Sequence, residues 1–213
     1  MLRTETVTPD TLELLKVLTR DQHLADFFLV GVTALSLQIG HRISIDIDLF
    51  STKSFDQNTM FDYLRVEHAF KLDFIEKNTI KGQIKTTKTD LITHPYTLVN
   101  DLQTIEGIRM ASLEDISAMK LNAISGNGTR LKDFVDVAFL SHYLSLTQMM
   151  NAYELKYATR NPVMIAKSLL YFRDINFNEN VRLVTARYSW KPIEKRLREM
   201  QKSPNLVFKT TPI

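Results

Sequence analysis

The chain contains no cysteine among its 213 residues. That excludes disulfides and thiolate metal sites, and it fits a reducing, cytoplasmic setting. Any metal must be held by oxygen or imidazole, which directs attention to magnesium or manganese. No run approaches the roughly 18 apolar residues that cross a bilayer, and no apolar stretch follows the N-terminal charges, so neither a membrane span nor a signal peptide is expected. Glycine and proline number six each and tryptophan one, which leaves no room for low-complexity linkers. The five histidines (His23, His41, His68, His94, His142) are scattered without ligand spacing, which argues against a histidine-rich phosphohydrolase site.

What is present is an ordinary 44% hydrophobic content and an uneven charge. Residues 151–213 hold 12 Lys and Arg against 5 Asp and Glu, whereas the remainder holds 15 against 19, so a basic end follows an acidic beginning. This suits a metal site followed by a surface for polyanions, and equally a solvated helical surface.

Periodicity predicts a helix over residues 9–18 capped by Thr8, a buried strand over 27–31, a helix over 33–39 ended by Gly40, and a strand over 42–50. A helix over 56–68 and strands over 69–75, 78–84 and 87–93 follow. Ser112 caps a helix to about residue 124, with Asp115 completing a capping-box pattern. A loop at 125–129 (SGNGT) precedes helices over 131–143, 147–158, 163–172 and 193–202, and the last residues read as a tail. Strands followed by helices suggest an α+β protein, with a core domain over 1–108 and a helical domain over 109–213.

The chemistry concentrates in residues 27–50. In a strand, residues two apart share a face about 6.6 Å apart, so Ser44, Asp46 and Asp48 are expected on one side. Ile43, Ile45, Ile47 and Leu49 are expected on the other, packed into the core. Two carboxylates so placed repel unless a divalent cation joins them. Alone, such a pair is more often an acidic outer face. Upstream, Gly31 and a helix opening at Thr33 present backbone N–H groups suited to phosphate. Arg42 adds a planar fork of donors for phosphate oxygens, or a salt bridge to Asp46 or Asp48.

Gly31, Thr33, Ala34 and Leu35, then Gly40, Arg42, Ser44, Asp46, Asp48, Leu49 and Phe50, form a combination that resembles the AbiEii/AbiGii-type toxins. These are nucleotidyltransferase-fold proteins of bacterial abortive-infection and toxin–antitoxin systems, within the polymerase-β superfamily. The resemblance extends more loosely to about residue 140. It implies a mixed nucleotidyltransferase sheet flanked by helices, then a C-terminal helical bundle. It also implies a third carboxylate, for which Asp90 in Lys88-Thr89-Asp90-Leu91-Ile92, just before His94-Pro95, is preferred to Asp73 in a nearly identical setting. Asp46, Asp48 and Asp90 would then hold Mg2+ or Mn2+.

By the same resemblance, Lys120 would orient a nucleoside triphosphate, and Arg130 and Lys132 would help bind phosphate. Asp133 and Asp136 would fix Lys120 or Arg130 or act directly, although ordinary surface pairing also explains that cluster. The expected reaction moves a nucleoside monophosphate from a triphosphate to an acceptor: RNA such as tRNA, or a protein side chain. An antitoxin protein is an expected partner. One departure is Val32, where the family carries Gly or Ser. A stiff β-branched residue there raises the alternative of a degenerate protein that binds nucleotide or RNA without turnover. Among the C-terminal aromatics (Tyr153, Tyr157, Tyr171, Phe172, Tyr188, Trp190), most are expected in the core rather than stacked on bases.

Overall fold

A computed structural model describes residues 1–158 and 161–213. They form two compact units. The first comprises Met1–Thr97 and Leu102–Ala111, the second Leu98–Asp101 and Ser112–Ile213.

The first unit is a seven-stranded mixed sheet with helices. Its strands are β1 (Phe28–Leu29), β2 (Ile47–Ser51), β3 (Lys71–Glu76), β4 (Thr79–Ile84), β5 (Thr87–Thr93), β6 (Gln103–Ile105) and β7 (Ile108–Met110), in the order β3-β4-β5-β2-β1-β7-β6. β2 runs parallel to β5 and β1 parallel to β7, while the other neighbours are antiparallel. One face of the sheet carries Leu29, Ile47, Leu49, Ile80, Ile84, Leu91 and Met110, all buried. This is the alternation expected of a half-buried sheet.

The unit's helices are α1 (Pro9–Arg20), α2 (Gly31–Ile39) and α3 (Gln57–His68). Thr8 caps α1 by accepting from the Thr11 amide, and Asp56 caps α3 by accepting from Thr59. Gly40 closes α2 in the left-handed conformation at φ 72°, which glycine adopts without steric cost. β6 and β7 were not foreseen, because three-residue strands carry too little alternation to detect. The Arg109 guanidinium ties β7 to the α1–β1 connection, donating to the carbonyls of Thr19, Leu24 and Phe27.

The stretch expected as one strand over 42–50 is corrected. Only its end, from Ile47, enters the sheet. Ile45, expected in the core, is 58% exposed, while Arg42 and Ser44 are buried. The reason is a competing set of hydrogen bonds. The Ser44 amide donates to the Thr6 carbonyl, and the Thr33 hydroxyl donates to the Asp46 carbonyl while facing the Ser44 hydroxyl at 2.7 Å. Residues 42–46 therefore follow the N-terminal segment and α2 instead of a strand ladder.

The second unit is helical: α4 (Leu113–Gly126), α5 (Leu131–Leu140), α6 (Leu146–Tyr157), α7 (Pro162–Leu169) and α8 (Trp190–Lys202). α5 is buried almost all round, with Phe134 at its centre. Phe134 meets Phe172 and Trp190 edge-on at 5.9 and 6.4 Å. Ser112 caps α4 as expected, but the Asp115 carboxylate is engaged elsewhere: it accepts from the Val99 and Asn100 amides, the Ser112 hydroxyl and Lys156. The Lys156–Asp115 pair is wholly buried at 2.7 Å, and with its members 41 positions apart in sequence no local pattern announces it.

The expected tail is instead a strap within this unit. Phe208 donates to the Ser141 carbonyl, and the buried Arg196 donates to the carbonyls of Thr210 and Thr211 and stacks on the Phe208 ring.

Candidate active site

The parallel pairing of β2 and β5 sets Asp48 directly opposite Asp90. Neighbouring strands lie about 4.8 Å apart, so two carboxylates leave the same face side by side. Asp73 sits on β3, two strands from β5 and at a register shift. Of the two rival third acids, the register places Asp90 beside Asp48.

Gly31 opens α2 against this pair. Its φ is +67°, and a Cβ built on it would lie 2.6 Å from Asp48 Oδ2. Only glycine satisfies both the left-handed backbone and the close approach. The Val30 amide donates to the Asp48 carbonyl at 2.9 Å, which locks the turn onto β2. Val32 follows in the first turn of α2 and is half-buried.

Asp46 precedes β2 in the irregular segment and is half-exposed, its backbone held by Thr33. Thr33, expected at a phosphate-facing helix start, and Ser44, expected on the face of the acids, are buried and face one another. Their observed work is to hold the stretch that carries Asp46. Arg42 is buried beside them in sequence.

The side chain that gathers the acids electrically is Lys88. Its Nζ is 3.4 Å from Asp90 Oδ2. Partial burial lowers its basicity, but Asp90 first, then Asp46 and Asp48, outweigh that and hold its pKa above the usual lysine value. All three expected carboxylates therefore act electrostatically on the same ammonium. The sequence offered Lys88 only as part of a motif. Its i, i+2 spacing to Asp90 was the available signal.

The fit of a divalent cation can be tested on the carboxylates. Asp90 is 4% exposed, and its Oδ1 is buried without a hydrogen-bond partner. A buried carboxylate oxygen with no donor is costly, and a cation removes that cost. Among the described residues no three acidic or imidazole side chains are drawn into a ready-made metal cage. The Lys88 ammonium lies within the field of these carboxylates. The donor set is all oxygen, which suits Mg2+ or Mn2+.

The residues expected in the second part form a separate constellation. Lys120 is buried, with Nζ 2.7 Å from both Asp133 Oδ1 and Asp136 Oδ2. Arg130 is exposed, its Nε 3.5 Å from Asp133 Oδ2. The Lys132 amide donates to Glu179 at 3.3 Å. Asp133 and Asp136 thus hold Lys120, and Asp133 also reaches Arg130. Of the aromatics, Tyr153 is buried and Phe172 and Trp190 belong to the Phe134 cluster, whereas Tyr171 is 49% exposed.

Comparison with known proteins identifies the family and the fold. The model of the nucleotidyl transferase AbiEii toxin family, a type IV toxin–antitoxin family, matches residues 13–67 and 64–206. An uncharacterized protein of Aquifex aeolicus (strain VF5), aq_aa25, is 33% identical over 159 residues, covering 70% of this chain and 75% of the relative. Two Helicobacter pylori crystal structures superpose at 18% identity. A candidate nucleotidyltransferase has a TM-score of 0.57 over 93% of this chain and 96% of its own. JHP933 has a TM-score of 0.55 over 93% of each. At that identity the superpositions speak for the α+β fold alone.

Proposed function

The chain belongs to the nucleotidyl transferase AbiEii toxin family, and from that premise we propose that it transfers a nucleoside monophosphate from a nucleoside triphosphate to an acceptor hydroxyl on RNA, such as a tRNA. The observation that carries the reading is the apposition of Asp48 and Asp90 on adjacent parallel strands, with Asp48 packed against Gly31 at the start of α2. In the reaction the acceptor oxygen bonds to the α-phosphorus, the bond from that phosphorus to the bridging oxygen of the β-phosphate breaks, and pyrophosphate leaves.

Asp46, Asp48 and Asp90 would hold one divalent cation, Mg2+ or Mn2+, which would supply positive charge to offset that developing on the phosphates. The Asp90 carboxylate also accepts the acceptor's proton if it lies within hydrogen-bond reach of that hydroxyl. Thr33 and Ser44 fix the backbone that carries Asp46. Gly31 brings the α2 N-terminus against the acids, where its free N–H groups favour an anionic ligand. Such a site works mainly by positioning and electrostatics.

The RNA acceptor is read from charge. α8 exposes Lys191, Lys195, Arg198 and Lys202 along one flank, a row of the sign phosphates attract. The family's toxin–antitoxin character implies a neutralising protein partner. We assign residues 1–108 to the nucleotidyltransferase core domain and 109–213 to a helical domain.

The test is direct. The protein is incubated with each labelled triphosphate in turn, Mg2+ and bulk tRNA, and label is sought on RNA and on protein. Label on RNA that an Asp48→Ala variant cannot install is the expected result. Label on protein alone would replace the acceptor. No transfer from any of the four triphosphates would refute the enzymatic reading and favour the degenerate alternative that Val32 raises.

A further inference from the structure

The ammonium of Lys88 lies against Asp90, 3.4 Å from its Oδ2. Lys88 precedes Asp90 by two residues on β5, so both side chains leave the same face of the sheet. Asp48 joins that face from β2. Across β4, Gln83 stands opposite Lys88 and Lys81 opposite Asp90. The two members of the ion pair differ sharply in exposure: the Lys88 side chain is 55% exposed, that of Asp90 only 6%. The lysine can therefore leave for water by rotating its own side chain, whereas the carboxylate cannot follow.

We propose that Lys88 is a tethered counter-cation of the acid site, which neutralises Asp90 and its neighbours while no divalent ion is bound and swings into solvent when one binds. This rests on the reading that Asp46, Asp48 and Asp90 hold that ion. Two consequences follow from charge alone. Without Lys88 the empty site keeps its carboxylates but loses the ammonium that lies 3.4 Å from Asp90, so the metal-free protein loses stability. With Lys88 an incoming cation must displace or tolerate a like charge, so the site binds metal more weakly than its carboxylates alone would. The lysine exchanges affinity for a site that stays assembled when empty. The direction of the pKa of Lys88, raised by all three acids, agrees with that position.

The experiment titrates Mn2+ into the full chain without nucleotide. Free Mn2+ is followed by electron paramagnetic resonance for the wild type, Lys88→Gln, Lys88→Arg and Asp48→Asn. A unit charge and a double charge roughly 5 Å apart in a water-like dielectric correspond to about a tenfold change in affinity. Lys88→Gln is therefore expected to bind Mn2+ about tenfold more tightly than wild type, and Lys88→Arg within about threefold of it. In thermal melts, Lys88→Gln should unfold earlier without metal and gain more from Mn2+.

Equal or weaker Mn2+ binding by Lys88→Gln, in a protein whose wild-type binding is lost in Asp48→Asn, overturns the counter-cation and leaves the acid site standing. Wild-type protein that binds no Mn2+, or binds it unchanged in Asp48→Asn, overturns both.

Discussion

Replacing Gly31 with alanine would put a methyl group into the narrowest gap of the acid site. Two separate costs follow. The first is conformational: at φ +67° a residue with a side chain is disfavoured by about 1–2 kcal/mol. The second is steric. The new Cβ would meet Asp48 Oδ2 at 2.6 Å and Cγ at 3.4 Å. Ordinary contact begins near about 3.5 Å, so the carboxylate must retreat by roughly 0.9 Å, leaving its preferred rotamer at about 1 kcal/mol.

The β2 backbone cannot absorb the shift, because the Asp48 carbonyl holds the Val30 amide and its strand pairs with β5. Together the terms give about 2–3 kcal/mol, a fall in Tm of about 4–12 °C for a chain of this length. Displacing one carboxylate by nearly 1 Å should slow transfer by about 100-fold. A control isolates the second cost. Gly107 has φ +82° with nothing within 4 Å of its would-be Cβ, so Gly107→Ala carries the backbone cost alone. Thermal melts by circular dichroism and nucleotide-transfer rates should show both variants destabilised and only Gly31→Ala slowed about 100-fold. Equal activity in the two variants would refute the claim that the gap at Gly31 positions Asp48.

Two further predictions concern stability. Lys156→Met leaves Asp115 as an uncompensated buried charge and should cost about 3–5 kcal/mol in urea unfolding; a loss below about 1 kcal/mol would mean the pair is not dry. Asp21 anchors a pH-dependent cluster in the first unit. Burial alone would raise its carboxyl pKa, but hydrogen bonds from Tyr63 and His68 prevail and lower it. That stability is present above the ordinary carboxyl value of about 4 and lost as pH falls through the lowered one, so Asp21→Asn should weaken the protein at pH 7 and matter little in strong acid. The Tyr63 phenol is pushed up to about 12, chiefly by its hydrogen bond to Asp21. Its contribution is present below its ordinary value near about 10 and fades towards pH 12. Absorbance titration at alkaline pH, wild type minus Tyr63→Phe, checks this: a phenolate transition near the ordinary value would contradict the bond.

Much of the architecture was legible because it is local. Thr8, Asp56 and Ser112 cap helices through amides three residues away, and Gly40 ends one by its own backbone. The α+β division also follows from local periods, two for strands and 3.6 for helices. The acid pair Asp46 and Asp48, and the glycine that opens α2, were visible as a spaced pattern of unusual residue types.

Other features depend on partners far along the chain. Alternation alone put Ile45 inside, yet hydrogen bonds to Thr6 and Thr33 took residues 42–46 out of the sheet and turned Ile45 outward. Asp73 and Asp90 have nearly the same neighbours in sequence. Strand order and register, which arise from pairing across the whole first unit, set Asp90 beside Asp48 and leave Asp73 two strands away from β5. The buried Lys156–Asp115 pair and the strap over Arg196 likewise join residues that local spacing cannot relate. The sequence by itself determined where the helices and the longer strands form and which residues carry charge. Tertiary structure alone decided which of those charges meet, because Coulombic and hydrogen-bonding contacts act over a few ångströms of space, whatever the separation along the chain.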